Sequence, residues 1–89
     1  MKTFNDLNFA KHRSGDGIRA FMLFENGFGI SVIKTKFSYG GAYGMYELAV
    51  TNAEENLVHG NPILEDDISG WLNEQDVTNI MKKMQEYHL

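Results

Sequence analysis

The side chains with the most obvious chemistry in this sequence are three histidines, at positions 12, 59 and 88, and the acidic run Glu65, Asp66 and Asp67. Imidazoles and carboxylates hold metals or pass protons when several of them converge on one point. No H-x-x-x-H or HExxH pattern brings them together here, and the acidic run lacks the alternating ligands of a calcium loop. Consecutive residues do not face one way, so Glu65–Asp67 reads as a solvated start to a helical turn. His59 reads as an ordinary half-exposed residue at a strand end, and His88 as part of a tail. The chain has no cysteine, which removes thiolate catalysis, disulfides and cysteine-held zinc. There is no GxSxG elbow. An acid–base site would have to assemble Glu47, His59 and Asp66 or Asp67. The expectation is no enzyme: no catalytic residue, no metal and no cofactor.

The sequence is richer in groups suited to recognition. KFSYGGAYGM (36–45) places aromatics among three closely spaced glycines. It differs from a phosphate loop, because its basic residues precede the glycines and a strand follows rather than a helix. Tyrosine is amphipathic and loses little entropy when fixed, which suits it to interfaces. Phe37, Tyr39, Tyr43 and Tyr46 are therefore candidates for an interaction surface. The competing reading is a curved connection whose aromatics cap the core. Arg19, Lys34 and Lys36 form a candidate anion contact, with Phe37 beside them. Solvated lysines at a sheet edge are the plainer account of these three.

The elements that must position these groups are legible from pattern. IRAFMLFENGFGISVIKT (18–35) is two apolar runs around Asn26-Gly27, which predicts a hairpin with a two-residue type I′ turn. That register sets Leu23 opposite Ile30 and Phe21 opposite Val32, with Arg19 facing Lys34. One face then carries Phe21, Leu23, Phe28, Ile30 and Val32 as core. The other carries Ala20, Met22, Phe24, Ser31 and Ile33. Alternation predicts a third strand over about 45–51, with Tyr46, Leu48 and Val50 inward. A short returning strand is expected at Leu57–His59, and a helical turn near Glu65–Ser69. Asn73 is a good N-cap before a helix over about 74–87, with Leu72 and Val77 as a hydrophobic staple. Val77, Ile80, Met81 and Met84 make its apolar stripe.

The fold class that follows is α+β: a four-stranded antiparallel meander with a C-terminal helix packed on one face. The helix and Trp71 should cover that face. Met22, Phe24 and their neighbours lie on the other, which needs cover from elsewhere. Residues 1–17 are a leader with apolar anchors Phe4, Leu7 and Phe9, and residues 18–89 a single domain. The leader could close the second face. Otherwise that patch should meet a partner protein or a second copy in a homodimer, so Met22 and Phe24 join the candidate interaction surface.

Eighty-nine residues make one domain of ordinary globular composition, 43% hydrophobic and 22% charged. The net charge of -4 is unevenly placed. Residues 1–45 hold six Lys or Arg against three Asp or Glu, and residues 46–89 hold two against nine. General affinity for nucleic acid needs a basic surface and is disfavoured, although a local patch in the first half stays open. No run reaches the roughly 18 apolar residues of a membrane helix. The N-terminus lacks the apolar stretch of a signal peptide, so a cytoplasmic protein is expected.

The stretch ENGFGISVIKTKFSYGGAYGMYELAV, followed by NPILEDDISGWLNEQDV, resembles small proteins of tailed bacteriophages whose function is uncharacterised. They share an NGYG-like turn, a glycine–tyrosine loop before YELAV and a late acidic segment ending in GWL. The resemblance covers roughly residues 21–80 and carries over no catalytic residue. It implies a phage-encoded accessory protein in the host cytoplasm, binding and modulating a host or phage protein. Two alternatives belong to other classes. One is a nucleic-acid-associated protein using Arg19, Lys34, Lys36 and Lys11 or Arg13, or an acidic decoy of a DNA-binding protein using Glu47, Glu54, Glu55, Glu65–Asp67, Glu74 and Asp76. The other is a small hydrolase-like enzyme.

Overall fold

A computed structural model describes residues 1–87, which leaves His88 outside it. Five strands form one antiparallel sheet in sequence order: β1 (Ala10–Lys11), β2 (Ile18–Leu23), β3 (Gly29–Lys34), β4 (Tyr46–Thr51) and β5 (Ile68–Leu72). One helix, α1 (Glu74–Glu86), follows β5. The α+β class and the meander hold, with five strands where four were expected.

The hairpin of β2 and β3 forms around Asn26-Gly27, but in a register shifted by one residue. Leu23 pairs with Gly29, Met22 with Ile30 and Ala20 with Val32. The connection is three residues long. Phe24 N–H donates to the Phe28 carbonyl (2.8 Å) and Gly27 N–H to the Phe24 carbonyl (3.0 Å). Gly27 alone is left-handed, at φ 93°. A turn closed by one left-handed glycine replaces the type I′ turn, which needs positive φ at both central positions. The physical reason lies across the fold. Asn26 Nδ2 donates to the carbonyls of Met84 (2.7 Å) and Tyr87 (2.9 Å), so this side chain caps the end of α1.

A shift of one residue exchanges the two faces of a strand. Ala20 and Phe24 therefore join Phe28, Ile30, Val32, Leu48 and Val50 in the core, with Met22 packed against them. Phe21 and Leu23 lie on the opposite face, and Leu23 is 50% exposed. The expected division between two apolar faces is corrected accordingly. The core side carries Ile18, Met22, Phe24, Phe28, Ile30 and Val32, and the opposite face carries Phe21, Leu23 and Ile33.

The helix is built as its sequence predicts. Asn73 Oδ1 accepts from Asp76 N–H (2.7 Å), and Asp76 Oδ2 accepts from Asn73 N–H (3.0 Å), a reciprocal capping box. Val77, Met81 and Met84 are fully buried, and Ile80 packs beside them. Full burial of such side chains stabilises the fold by about 1.5–3 kcal/mol each.

The first nine residues pack on the helix side of the sheet, and Ala10–Lys11 adds an edge strand to it. Phe4 N–H donates to Thr78 Oγ1 (3.0 Å), and Gln85 clamps the backbone of Lys2 through both its amide atoms (2.8 and 2.7 Å). Phe4, Phe9 and Tyr46 form a cluster with centroids 5.1–5.6 Å apart, and Leu7 is buried. Phe4, Leu7 and Phe9 thus widen the cover over the core face and do not close the second.

Leu57 and Val58 make a single bridge to β4 rather than a strand. The predicted helical turn at 65–69 is instead the approach to β5, whose pairing with β4 begins at Ile68 opposite Ala49. No helix among the described residues is long and apolar enough to cross a membrane.

Candidate interaction surface

The glycine-rich loop after β3 starts from a knot of hydroxyls. Thr35 Oγ1 accepts from the backbone N–H groups of Phe37 (3.1 Å) and Ser38 (3.0 Å). Ser38 Oγ accepts from Thr35 N–H (2.9 Å) and donates to the Thr35 carbonyl (3.0 Å). Local bonds of this type let serine and threonine fix a turn without regular secondary structure. The loop then closes through a short 3₁₀ turn at Gly41–Tyr43. A Cβ at Gly41 would collide with the Thr35 carbonyl oxygen, so the packing of this turn requires glycine.

The loop is pinned to the sheet at Tyr39. Its N–H donates to Glu47 Oε1 (3.0 Å), and its carbonyl accepts from Trp71 N–H (3.1 Å). The second bond meets β5 at an irregularity. Tyr46 pairs with Leu72 but Leu48 pairs with Ser69, so Gly70 and Trp71 together oppose Glu47. This is a β-bulge, which turns its strand and re-aims a side chain. Tyr39 rests directly on Gly70, where any Cβ would collide with its own. Trp71 sits at φ 57°, a left-handed conformation rare for a bulky residue.

The outcome is an exposed aromatic ledge. Phe37 is 84% exposed, Tyr39 63%, Tyr43 78% and Trp71 55%. The Tyr43 and Trp71 rings lie 5.5 Å apart and inclined by 32°. Lys36 Nζ stands 5.1 Å from the Phe37 ring centroid. Three of the four aromatics singled out in the sequence are exposed on this loop, and one of them, Tyr43, meets Trp71. Tyr46 is buried at 8%, under the leader, and Phe24 is buried at 6% in the core. Met22 is half-buried beside it. Trp71 belongs to the ledge rather than to the cover of the core, a correction that follows from its left-handed backbone. Composition alone could not reveal it, since a tryptophan beside a helix start normally faces inward. The Gly70 before it was the available sign of a bulge.

The candidate cations do not share a surface. Arg19 pairs with Ile33 in the sheet and hydrogen-bonds Glu55 (3.2 Å), which also accepts from Arg13 (2.8 Å). Arg19's hydrogen bond, with Arg13's beside it, holds the Glu55 carboxyl below its usual range. Lys34 lies on the other side of the sheet, 5.0 Å from the Tyr46 ring centroid. Lys36 stays at the ledge.

Of the residues an enzyme would need, two meet. His59 Nδ1 is 2.6 Å from Asp67 Oδ2, and Asp67 Oδ1 accepts from Gly60 N–H (3.0 Å). These bonds, His59's first, lower the Asp67 pKa. Glu47 is bound elsewhere, to Tyr39, and His12 bonds Ser14 Oγ (2.9 Å). Among the described residues no group of three or more His, Asp or Glu is arranged to hold a metal. The acids of the decoy reading lie on β4, the 52–56 turn, the segment before β5 and the start of α1. Glu47, Glu55, Asp67 and Asp76 are each engaged within the chain. No protein-family model, curated protein or solved structure matches the chain.

Proposed function

We propose that this chain is a non-enzymatic accessory protein that binds another protein through the ledge of Phe37, Tyr39, Tyr43 and Trp71 and modulates it. Following its sequence resemblance, the partner is a host or phage protein in a bacterial cytoplasm. The observation that carries this reading is the exposure of four large aromatics from two separate segments, on backbone already fixed by hydrogen bonds. Aromatic anchors dominate binding energy at protein interfaces. A pre-ordered loop avoids much of the entropy that association otherwise costs. The core does not call for these rings at the surface, since Leu48, Val50 and the helix stripe are already fully buried. The dispersal of Arg19, Lys34 and Lys36 gives the nucleic-acid reading no common surface to use.

Affinity capture from a bacterial lysate tests it, comparing intact bait with Tyr39→Ala/Tyr43→Ala bait and a Lys82→Ala control on the exposed side of the helix. The expected result is a co-purifying protein retained by the control and reduced about tenfold by the loop variant, with melting temperatures unchanged. Equal recovery with all three baits, or no partner for the intact chain, defeats the proposal.

A further inference from the structure

We propose that Asn26 is a site of spontaneous deamidation guarded by the end of α1, and that the reaction releases that end irreversibly. The modified residue is aspartyl or isoaspartyl.

The chemistry needs only the residue that follows and water. The backbone nitrogen of Gly27 attacks Cγ of Asn26 and closes a five-membered succinimide. The side-chain nitrogen leaves as ammonia, which carries away the proton lost by the attacking N–H. Water then cleaves the ring between Cγ and nitrogen, giving aspartate, or between the main-chain carbonyl carbon and nitrogen, giving isoaspartate. Glycine obstructs this least, since it has no side chain beside the attacking nitrogen and leaves the backbone free to bend. Of the chain's eight asparagines only Asn26 precedes a glycine. Gly27 is exposed, with open space where a Cβ would stand, so packing does not shield the site.

Hydrogen bonds hold the reaction back. Gly27 N–H donates to the Phe24 carbonyl (3.0 Å), a bond that attack must give up. Asn26 Oδ1 accepts from Phe28 N–H (3.2 Å), and Nδ2 donates to the carbonyls of Met84 (2.7 Å) and Tyr87 (2.9 Å). Donation to these acceptors draws the nitrogen lone pair into the amide and opposes the protonation that departure requires. Both Nδ2 bonds end on the last turn of α1 and its cap. Helix ends open far more readily than whole domains, and each opening frees the side chain to react.

Neither product can restore the lock. An ionised carboxyl has no hydrogen to donate, and its charge would face two carbonyl oxygens at the negative end of the helix. Isoaspartate also inserts its Cβ into the main chain, lengthening the connection between β2 and β3. The released turn carries Gln85, whose amide holds the backbone of Lys2. Modification at the hairpin tip therefore loosens the helix end and the start of the leader together.

Incubating the intact chain in neutral buffer, with and without denaturing urea, and mapping the modified peptides by mass tests this. In urea Asn26 should react first among the asparagines, and in the folded chain at least about tenfold more slowly. Asn26→Gln should remove the signal at this position in both conditions. Asn26→Asp, which makes one product directly, should lower the melting temperature by about 5 °C. It should also speed amide exchange over the last turn of α1 and residues 2–4 while the central strands stay protected. Where that variant does not fold, the modified fraction of the aged parent chain supplies the exchange measurement. The inference is overturned by equal rates at Asn26 with and without urea, or by another asparagine reacting first in urea. It is equally overturned if the modified chain keeps the parent's exchange pattern at the helix end.

Discussion

The molecule contains two aromatic clusters with opposite fates. Phe4, Phe9 and Tyr46 meet between the leader and the sheet, edge to face or tilted, with Tyr46 almost wholly withdrawn from water. Phe37, Tyr39 and Tyr43 lie on the loop and Trp71 at the bulge, with Tyr43 against Trp71, and all four are more than half exposed. The difference lies in what holds each in place. The first is fixed by burial, and its rings are themselves the stabilising contacts. The second is fixed by backbone: hydroxyl bonds at Thr35 and Ser38, the two bonds of Tyr39, and glycines that permit close approach. Aromatic clustering therefore does not distinguish buried core from exposed surface; the source of positional order does.

That contrast can be tested at five positions. Tyr46→Ala should have the largest effect, about 3–5 kcal/mol of unfolding free energy in denaturant titration, because it opens a cavity in a packed cluster. Tyr43→Ala, by the same measurement, should change stability by less than about 0.5 kcal/mol. Comparable losses from both would show that the ledge is a second core.

Gly70→Ala should come next, at about 1–3 kcal/mol, since the added Cβ must displace Tyr39. It should also weaken partner capture without removing any ledge side chain, which separates positioning from contact.

Trp71→Gly sharpens the comparison further. A left-handed backbone at a non-glycine residue costs about 1–2 kcal/mol, and glycine removes that strain. Glycine's greater freedom when unfolded and the lost Tyr43 contact offset the gain. Stability should stay within about 1 kcal/mol of the parent while capture is lost. A marked fall in melting temperature would mean that Trp71 supports the fold rather than a partner.

The smallest effect concerns the approach to β5. The Asp67 carboxyl has a folded pKa below its unfolded value, so the bonds to His59 and Gly60 favour the fold above about pH 4. That contribution fades as pH falls further and Asp67 takes up a proton. Asp67→Asn should therefore lower the melting temperature slightly at neutral pH and not at pH 2. An equal drop at both would assign the effect to lost packing.

What the sequence alone determined here is local. Asn73, Asp76 and the stripe Val77, Met81, Met84 specify a helix without reference to anything distant. Asn26-Gly27 specifies that the chain turns back, and the period of Tyr46, Leu48 and Val50 specifies a strand with those residues inward. The aromatics of 37–43 were legible equally as a candidate surface and as a cap on the core, and only the structure shows Phe37, Tyr39 and Tyr43 exposed. Tertiary structure decided whatever depended on a partner far along the chain. The hairpin register turned on Asn26 reaching the end of α1, where its two hydrogen bonds go with reversed faces of β2. The fifth strand exists because β4 offers an open edge, which outweighs the acidic run before it. Trp71 left the core because the bulge holds its backbone in the left-handed region and re-aims its side chain. Capping and periodicity are fixed within a few residues, whereas register and bulges are settled by whichever distant group claims the free hydrogen bond or the vacant volume.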